Sequence, residues 1–395
     1  MQYRINPKNN DKISSLSHGC MRFPKSGSKI DQEKTTALVK LSIESGINYF
    51  DTAYLYPGNE EALGTALHEL GLRKEVKIAT KIPHYFCKTH DDLDKFFAKQ
   101  LERLKTDYID YYLIHMLNDV SSWDRIKLLG AADWIKEKKA SGQIKNIGFS
   151  YHGGREAFKV LIDSYDWDFC MIQYNYLDEF NQAGRAGLEY AAAKKLPVFI
   201  MEPLRGGYLA NGLPEKATEI FKKSNPDFSP AQWALRWLYN QSGVTSVLSG
   251  MNETAQIKEN SLLADISPAG CLDNQELDVY GEVLKTINSK IKVPCTGCGY
   301  CLPCPFGVDI PNCFHCYNES YSRGYISGMK AYFMNSGAMT PTQTYASKCR
   351  KCKKCEKHCP QKIEISKELR SVAFRLEPVM FKTLAKIVRR FMNAK

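Results

Sequence analysis

The feature that most constrains the fold is a repeated alternation of short apolar runs and amphipathic segments over residues 1–290. The eight apolar runs are candidate strands and recur about every 30 residues, at 15–19, 47–50, 76–81, 110–114, 146–150, 169–173, 197–201 and 245–250. Strands that alternate with helices of about 10–15 residues predict βαβ units and a parallel sheet. Eight such units in about 250 residues favour a (β/α)8 TIM barrel, an α/β fold.

The structural alternative is a doubly wound open sheet. That fold usually carries a G-x-G-x-x-G turn after its first strand, where a helix begins. No such motif follows the first candidate strand, SLSHG at 15–19. We therefore favour the barrel.

The amino-acid composition of the chain changes after a predicted helix at 273–290. Residues 295–359 are rich in Cys, Gly, Pro and aromatic residues, with helices predicted at about 311–322 and 325–333. A helical tail follows at 371–393, and Pro378 should divide it into two pieces. We predict three parts: a barrel over 1–290, a small, mostly helical module over 291–370 and a basic amphipathic tail over 371–395.

Two runs of cysteine dominate the second part. The later run is Cys349, Cys352, Cys355 and Cys359 followed by Pro360, which is the C-x2-C-x2-C-x3-C-P spacing of bacterial ferredoxins. Three thiolates at steps of three along a tight loop can reach one cubane, whereas the fourth reaches a different cluster. The earlier run is Cys295, Cys298, Cys301 and Cys304 followed by Pro305, with a last gap one residue shorter.

These runs predict two [4Fe–4S] clusters. The ligands of the first would be Cys295, Cys298, Cys301 and Cys359, and those of the second would be Cys349, Cys352, Cys355 and Cys304. The alternatives are zinc, which needs only paired CxxC units, and disulfides, which are rare in cytoplasmic proteins. Cys313 and Cys316 form one further CxxC, which we interpret as packing residues. The module resembles the α-helical ferredoxins of multi-subunit redox enzymes over about 290–370.

The net charge of +11 lies entirely in the last quarter of the chain. Residues 291–395 hold 18 basic and 6 acidic side chains, whereas residues 1–290 hold 36 and 37. Such asymmetry raises nucleic acid or a membrane surface as a partner. The predicted clusters offset part of the charge, so we expect an acidic electron carrier such as ferredoxin or flavodoxin and no nucleic acid.

The ends of the chain bear on its location. The N-terminus has no apolar core of a signal peptide, and no apolar run reaches the roughly 18–20 residues of a membrane span. We therefore expect a cytoplasmic protein. In the tail, Phe381, Leu384, Val388 and Phe391 share one helical face. We expect this stripe to pack on the protein itself; the alternative is an anionic membrane surface.

Four polar residues follow three successive candidate strands. Asp51 and Tyr56 follow the second strand, Lys81 ends the third and His115 ends the fourth. In a TIM barrel these positions share the rim where catalysis occurs. A Tyr hydroxyl can act as a general acid toward a carbonyl when a cation stabilises its phenolate. Lys81 supplies that cation, Asp51 could hold it, and His115 could orient the carbonyl.

These motifs resemble the aldo-keto reductase superfamily over about 10–265. DTAYLY contains the family's Asp and Tyr, TK its Lys, LIH its His and NIGFS its nicotinamide loop. The resemblance implies a (β/α)8 barrel that reduces aldehydes or ketones with NADPH or NADH, or oxidises the corresponding alcohols. Together with CTGCGYCLPCPFGVDIP, it extends to the subset with a C-terminal 4Fe–4S ferredoxin-type domain.

The resemblance also implies contacts with the dinucleotide. Ser150 and Gln173 would hold the carboxamide, and Cys20 and Met21 would border the substrate. The pyrophosphate would follow EPLRGG, which contributes Leu204, Arg205, Gly206 and Gly207. The adenosine end would meet residues 249–260, including Gly250, Gln256 and Asn260.

Several positions depart from the family pattern. Tyr151 replaces the Asn expected after Ser150, and Met201 or Glu202 replaces the aromatic residue that stacks on nicotinamide. Gly250 and Gln256 replace the basic residues that grip a 2′-phosphate, which weakens the preference for NADPH and leaves NADH open.

Hydride transfer moves two electrons, whereas an iron–sulfur cluster carries one. The clusters could therefore exchange electrons with a partner, fix the module or regulate the site. Two alternatives to a carbonyl reductase remain: an electron-transfer component whose barrel binds a ligand without turnover, and a redox-sensing regulator. The substrate and the oligomeric state are left open.

Overall fold

The structure is a computed structural model in which residues 1–117, 119–153, 155–180, 182–295, 301–322, 324–333, 336, 343–359, 361–385 and 387 are described. The chain forms two compact units. The first comprises Met1–Ala210 and Phe228–Asn274, and the second comprises Asn211–Asp227 and the chain from Gln275 onward. Helix 274–288, which sequence analysis counted with the barrel, groups almost entirely with the second unit.

All strands in the described part of the chain lie in the first unit. They are β1 (Tyr3–Ile5), β2 (Lys12–Ser14), β3 (Leu16–Gly19), β4 (Lys25–Ser26), β5 (Lys29–Ile30), β6 (Tyr49–Asp51), β7 (Lys77–Ile82), β8 (Ile109–Leu117), β9 (Ile144–Tyr151), β10 (Phe169–Gln173), β11 (Val198–Met201) and β12 (Val244–Ser249).

Eight of these strands close into a barrel. Their order around it is β3-β6-β7-β8-β9-β10-β11-β12, and the neighbouring strands pair in parallel. Each coincides with one of the eight strands predicted from the sequence. The TIM barrel is therefore confirmed, and the doubly wound alternative is wrong.

The helices alternate with the barrel strands along the chain, and further helices follow the last strand. They are α1 (Gln32–Glu44), α2 (Asn59–Leu70), α3 (His90–Leu104), α4 (Val120–Lys127), α5 (Ala131–Ala140), α6 (Arg155–Asp163), α7 (Gly184–Ala193), α8 (Tyr208–Asn211), α9 (Glu215–Ser224), α10 (Pro230–Tyr239), α11 (Thr254–Asp265), α12 (Asn274–Asn288), α13 (Ile310–Ser322), α14 (Tyr325–Phe333), α15 (Lys354–Lys357) and α16 (Ile365–Leu376).

Local sequence signals set several helix ends. The Asp31 side chain accepts the backbone N–H of Lys34 and caps α1. Ser229 and Gln232 form a reciprocal capping box at the start of α10, where Pro230 occupies the first turn. Helix α2 ends at Gly71, whose φ of 69° lies in the left-handed region that glycine adopts without strain.

Aromatic side chains fill the barrel interior. Tyr49, Tyr111, Phe169 and Phe199 are fully buried there, and the rings of Tyr49 and Phe199 stack with centroids 4.5 Å apart. Burying one such side chain contributes about 1.5–3 kcal/mol relative to leaving it exposed. The interior is thus a packed core, so a site for a ligand must lie at one end of the barrel.

The N-terminal hairpin covers one of those ends. Strands β1 and β2 pair antiparallel, and Asn6 after β1 donates from Nδ2 to the Tyr111 hydroxyl at 3.0 Å. That hydroxyl donates in turn to Oδ2 of Asp11 at 2.8 Å. Because Tyr111 lies near the start of β8, the hairpin closes the amino ends of the strands and leaves the carboxyl ends for chemistry.

The second unit has its own helical core. Phe314 of α13, Tyr332 of α14 and Leu369 of α16 belong to it, and Cys313 and Cys316 are fully buried within it. This burial agrees with the interpretation of Cys313 and Cys316 as packing residues.

The tail differs from its prediction at one end. Its helix α16 begins at Ile365 rather than 371, because Ser366 is anchored there by Oε1 of Glu356, which accepts both its N–H and its hydroxyl. The predicted break at Pro378 is confirmed, since α16 ends at Leu376 and residues 381–385 are helical again.

The predicted apolar stripe of the tail is partly observed. Phe381 packs against the rings of Tyr332 and Tyr345, whereas Leu384 is 48% exposed. Val388 and Phe391 lie outside the described residues.

Candidate functional site

Three neighbouring strands bring the predicted tetrad together. Asp51 is the last residue of β6, Lys81 lies in β7 and His115 lies in β8, each near the carboxyl end of its strand. Tyr56 follows β6 in the loop before α2. Since β6 pairs with β7 and β7 with β8, these side chains converge on one sector of the rim.

Lys81 and Asp51 form a buried ion pair. The Lys81 ammonium donates to both carboxylate oxygens of Asp51, at 2.7 and 2.6 Å, and to the carbonyl of Thr52 at 2.7 Å. Only 2% of the Lys81 side chain and 7% of the Asp51 side chain are exposed. Burial alone would lower the pKa of Lys81, but the charges of Asp51 and Tyr56 reverse this, and the net pKa is raised. The ammonium is therefore a fixed, permanent cation.

Tyr56 lies over that cation. The Lys81 nitrogen is 5.3 Å from the centroid of the Tyr56 ring, within the range of a cation–π contact. Burial raises the pKa of the Tyr56 hydroxyl, and the Lys81 ammonium opposes that rise. The same ring meets His115 edge-on, with centroids 6.1 Å apart and planes at 86°.

His115 is buried and electrically neutral. Burial lowers its pKa to about 3, and the Lys81 cation contributes to the lowering. Its Nδ1 atom is buried and has no hydrogen-bond partner in the described part of the chain. A neutral imidazole keeps one N–H, so this side chain can donate a hydrogen bond to an oxygen without itself carrying charge.

Cys20 and Met21 follow β3 in a short 3-10 helix over Cys20–Arg22. The Cys20 thiol is fully buried and close enough to Asp51 for the carboxylate to raise its pKa, although burial is the larger cause. The backbone carbonyl of Cys20 accepts from Nδ2 of Asn59, which ties this helix to α2. Met21 is 63% exposed, so only Cys20 is packed beside the tetrad.

Ser150 and Gln173 retain free hydrogen-bonding capacity. The Ser150 hydroxyl accepts the N–H of Met116 at 2.8 Å, which leaves its own proton available. Gln173 donates from Nε2 to Asp178 at 2.8 Å, whereas its buried Oε1 has no partner among the described residues. One donor and one acceptor are the complement of a carboxamide group.

The segment after β11 has an unusual backbone. Glu202 and Arg205 have φ values of 55° and 47°, and Gly206 and Gly207 have values of 67° and 97°. Nothing lies within 4 Å of a Cβ placed on Gly207, so the backbone there is open to a ligand. Close approach of a phosphate group to such a turn is sterically allowed.

Arg22 links the two predicted phosphate loops, and sequence analysis did not single it out. Its Nη2 donates to the carbonyl of Gly206 at 3.4 Å, and its side chain lies 3.1 Å from a Cβ placed on Gly250. A cation thus lies beside both loops, although residues 22, 206 and 250 are far apart in sequence.

In the segment predicted to meet adenosine, the side chains at 256 and 260 are neutral amides. Gln256 uses Oε1 to accept the N–H of Asn252 at 2.9 Å, and buried Asn260 donates to Ser249 at 3.4 Å. At the position expected to hold a stacking aromatic residue, Glu202 carries a carboxyl whose pKa is raised by burial and by Asp178.

In the second unit, Cys304, Cys349, Cys352, Cys355 and Cys359 are free thiols. Cys295, Cys301, Cys304, Cys349, Cys355 and Cys359 pack against the helical core, and Cys352 is exposed. Cys298 lies outside the described residues. Burial raises the pKa of Cys355 to about 11, and the neighbouring thiols of Cys349 and Cys304 add to this.

The backbone around the later run is tightly wound. Lys351 and Lys353 adopt φ values of 56° and 59°, which turn the chain between successive cysteines. The N–H of Lys351 points to the sulfur of Cys349 at 3.4 Å. Within the described ranges, no three His, Cys, Asp or Glu side chains converge on a position for a single metal ion. A thiol-only donor set spread over a wound loop instead fits an iron–sulfur cluster.

Comparisons with known proteins place both units. Residues 15–268 match the aldo/keto reductase family, and residues 294–364 match the 4Fe–4S dicluster domain. The chain belongs to the aldo/keto reductase family. This oxidoreductase carries a C-terminal 4Fe–4S domain, as the resemblance in its sequence implied.

Relatives of this aldo/keto reductase align mainly with the barrel. It is 30% identical over 254 residues to the 9,11-endoperoxide prostaglandin H2 reductase of Trypanosoma cruzi, covering 62% of this chain and 83% of that protein. It is 27% identical over 254 residues to a methylglyoxal reductase of Escherichia coli, covering 61% and 82%.

Solved structures show the same fold. The holo form of an aldo-keto reductase from Bacillus halodurans matches with a TM-score of 0.60 and 24% identity, covering 72% of this chain and 96% of that one. An aldo-keto reductase from Klebsiella pneumoniae in complex with NADPH matches with a TM-score of 0.59 and 23% identity, over the same shares. None of the helices in the described part of the chain is long and apolar enough to span a membrane.

Proposed function

We propose that this protein reduces small aldehydes or ketones with NADH or NADPH, or runs the reverse alcohol oxidation. The observation that supports this most directly is the buried Lys81–Asp51 pair beneath the ring of Tyr56, next to a neutral His115. A permanent cation, a phenol and an uncharged N–H donor are the groups that protonating a carbonyl oxygen requires.

In this proposal, Tyr56 is the general acid. Its hydroxyl donates a proton to the carbonyl oxygen as negative charge develops there. The Lys81 ammonium stabilises the phenolate that remains, and Asp51 keeps the ammonium in place through its two short hydrogen bonds. His115 donates a hydrogen bond to the same oxygen and orients the carbonyl. General acid catalysis of this kind typically contributes about 10²–10⁴-fold to the rate.

A bound dihydronicotinamide supplies the hydride. The hydroxyl of Ser150 and the unpaired Oε1 of Gln173 hold its carboxamide, one as a donor and the other as an acceptor. Backbone groups of Leu204, Arg205, Gly206 and Gly207 follow the pyrophosphate, and Arg22 adds a cation there.

Residues Gly250, Gln256 and Asn260 meet the adenosine end in this proposal. Because Gln256 is neutral and already bonded to its own loop, it provides no charge to grip a 2′-phosphate. Cys20 and Met21 border the substrate.

We further propose two [4Fe–4S] clusters in the module over about 291–370. Cys295, Cys298, Cys301 and Cys359 hold the first, and Cys349, Cys352, Cys355 and Cys304 hold the second. Cys304, Cys349 and Cys355 all pack against the helical core of the second unit, which supports the second group. The clusters supply one-electron transfer, and the exposed basic residues around the later run suit an acidic carrier such as ferredoxin or flavodoxin.

The test is an anaerobic survey of aldehydes and ketones with NADH and NADPH, using the wild type and two matched variants. Tyr56→Phe should lower kcat at least about 10²-fold, because it removes only the acidic hydroxyl. Tyr54→Phe removes a phenol hydroxyl from the same loop and should change kcat by less than about threefold. If no substrate oxidises NAD(P)H, or if Tyr56→Phe keeps full activity, the proposal is wrong.

A second candidate is an electron-transfer component whose barrel binds a nicotinamide without turnover. The carboxyl of Glu202 at the usual stacking position favours it, since a ring-stacking aromatic side chain is missing there. Under this reading, Cys349→Ser together with Cys352→Ser should abolish electron delivery to a partner. Unchanged NAD(P)H-dependent turnover in that double variant would favour the reductase instead.

A further inference from the structure

A cavity of about 1040 Å³ lies within the second unit. Its walls come from α13, from α16 and from the segment around the later cysteine run. The volume is at the upper end of the roughly 300–1,000 Å³ typical of cofactor sites. Neither the proposed carbonyl chemistry nor the proposed ligand sets use this cavity, apart from Cys349 on its wall.

One side of the cavity is aromatic. Tyr317, Tyr321, Tyr325 and Phe374 line it. Phe374 is 92% exposed and Tyr325 is 44% exposed, so large ring surfaces are left in contact with solvent. Exposed rings grouped in a concave site provide stacking partners for a planar ligand.

The other side is cationic. Lys351, Lys367, Arg370 and Arg375 line the cavity, whereas no Asp or Glu is among the described residues of its lining. Lys367 pairs with Glu364 outside the lining at 2.8 Å, but Lys351 and Arg370 form no ion pair with any described residue. A concave surface with this excess of cations favours an anion, and Arg in particular suits a phosphate group.

Arg375 joins the two sides. Its guanidinium carbon lies 4.0 Å from the centroid of the Tyr321 ring and 5.2 Å from that of Tyr325. Nε and Nη2 donate to the hydroxyl and the carbonyl of Ser320 at 2.7 and 3.1 Å. This arrangement holds the cation and the rings in a fixed relation before any ligand binds, which limits the entropy lost on binding.

Cys349 also lines the cavity. Because we assign Cys349 to the second cluster, a ligand in the cavity would lie next to an iron–sulfur centre. Its chemistry must therefore be compatible with transfer of single electrons.

We propose that this cavity binds a flavin nucleotide, with its ring system against the exposed rings of Tyr325 and Phe374 and its phosphate among the cations. Oxidation of reduced flavin mononucleotide (FMN) releases two electrons and two protons. Each electron would reduce one of the two proposed [4Fe–4S] clusters from 2+ to 1+, and the protons would pass to solvent. The reduced FMN would arise by hydride transfer from NAD(P)H together with one proton from solvent. A quinone would satisfy the aromatic side but would leave the cations without an anion. The inference rests on the proposed clusters for its electron step only, and it does not depend on carbonyl reduction.

The test is anaerobic titration of the purified full chain with oxidised FMN, followed by quenching of the flavin fluorescence. We expect one FMN to bind per chain. Riboflavin, which lacks the phosphate, should bind at least about tenfold more weakly, because charge-assisted hydrogen bonds are lost. Tyr325→Leu should weaken both ligands by a similar factor, about two- to tenfold, since it removes stacking only.

Charge variants give the matched comparison. Lys367→Gln with Arg370→Gln should weaken FMN at least about tenfold and riboflavin by less than about twofold. Lys216→Gln with Lys223→Gln makes the same change of charge on α9, outside the cavity lining, and should leave FMN binding unchanged.

Two results would overturn the proposal. One is that FMN does not bind to the wild type, or that it binds to the cavity double variant and to the α9 double variant with equal affinity. The other is that the cavity variants lose affinity for an acidic ferredoxin while no flavin binds to the wild type. If the wild type oxidises NAD(P)H with a carbonyl substrate but does not bind FMN, this inference alone is wrong. If the wild type binds FMN but oxidises no NAD(P)H, the proposed reductase activity alone is wrong.

Discussion

Replacing Lys81 by Met separates the electrostatic role of this residue from its catalytic role. The substitution removes a cation that holds Asp51 at 2.6 and 2.7 Å in an almost fully buried site. Breaking a buried ion pair in this way costs about 3–5 kcal/mol, because an uncompensated carboxylate remains. For a domain of this size, each kcal/mol of lost stability lowers Tm by about 2–4 °C, so the Tm of the barrel should fall by about 6–20 °C.

Two further variants define the reason for that loss. Lys81→Met combined with Asp51→Asn removes the stranded charge and should recover most of the midpoint while remaining inactive. Lys77→Met, on the same strand as Lys81, breaks a partly exposed ion pair with Asp11, and its cost should stay below about 1 kcal/mol. Thermal unfolding followed by near-UV circular dichroism, together with NAD(P)H oxidation, measures both effects.

The pH dependence gives an independent check. In Lys81→Met, burial raises the pKa of Asp51 in the folded state above its unfolded value, with no cation left to oppose it. The folded state of the variant then binds the proton more tightly than its unfolded state does. The loss in free energy of unfolding relative to the wild type should therefore be smallest near pH 4 and should grow as pH rises through the folded pKa of Asp51. A deficit independent of pH, or a double variant no more stable than the single one, would refute the reasoning.

Three other predictions concern the site. Gln173→Leu should weaken NAD(P)H binding about tenfold, measured by quenching of protein fluorescence, because the carboxamide loses its acceptor. Arg22→Gln should raise the Kd for NAD(P)H about three- to tenfold and make binding less sensitive to salt, while leaving kcat nearly unchanged. Because the pKa of His115 is about 3, kcat/KM should show no histidine ionisation between pH 5 and 7.5. A pH-dependent change in kcat/KM in that range that disappears in His115→Gln would contradict this prediction.

Much of the barrel could be predicted because its signals are local and repeated. Each strand is a short apolar run, and amphipathic segments separate successive runs, so the periodicity alone indicated eight parallel strands. The tetrad was predictable for the same reason. Asp51, Lys81 and His115 each end a strand, and the ends of parallel strands share one rim.

Other features depend on contacts between segments that are distant in sequence. Arg22 contacts both proposed phosphate loops only because the turn after β3 lies beside Gly206 and Gly250. The aromatic and cationic cavity exists only because α13 packs beside α16, and neither helix alone carries a ligand motif. The start of α16 at Ile365 likewise depends on a tertiary contact with Glu356.

The excess charge of the last quarter can be distributed among these features. Residues 291–395 carry a net +12 from their side chains. Two [4Fe–4S] clusters, each about −2 to −3 with its thiolates, would offset about half or less of this excess. Four of the remaining cations line the cavity beside Cys349; Lys367 pairs with Glu364, whereas Lys351 and Arg370 form no ion pair with any described residue. A flavin phosphate bound there would remove up to two more positive charges. The residual charge would then lie mainly around the later cysteine run, which is where an acidic electron carrier would dock.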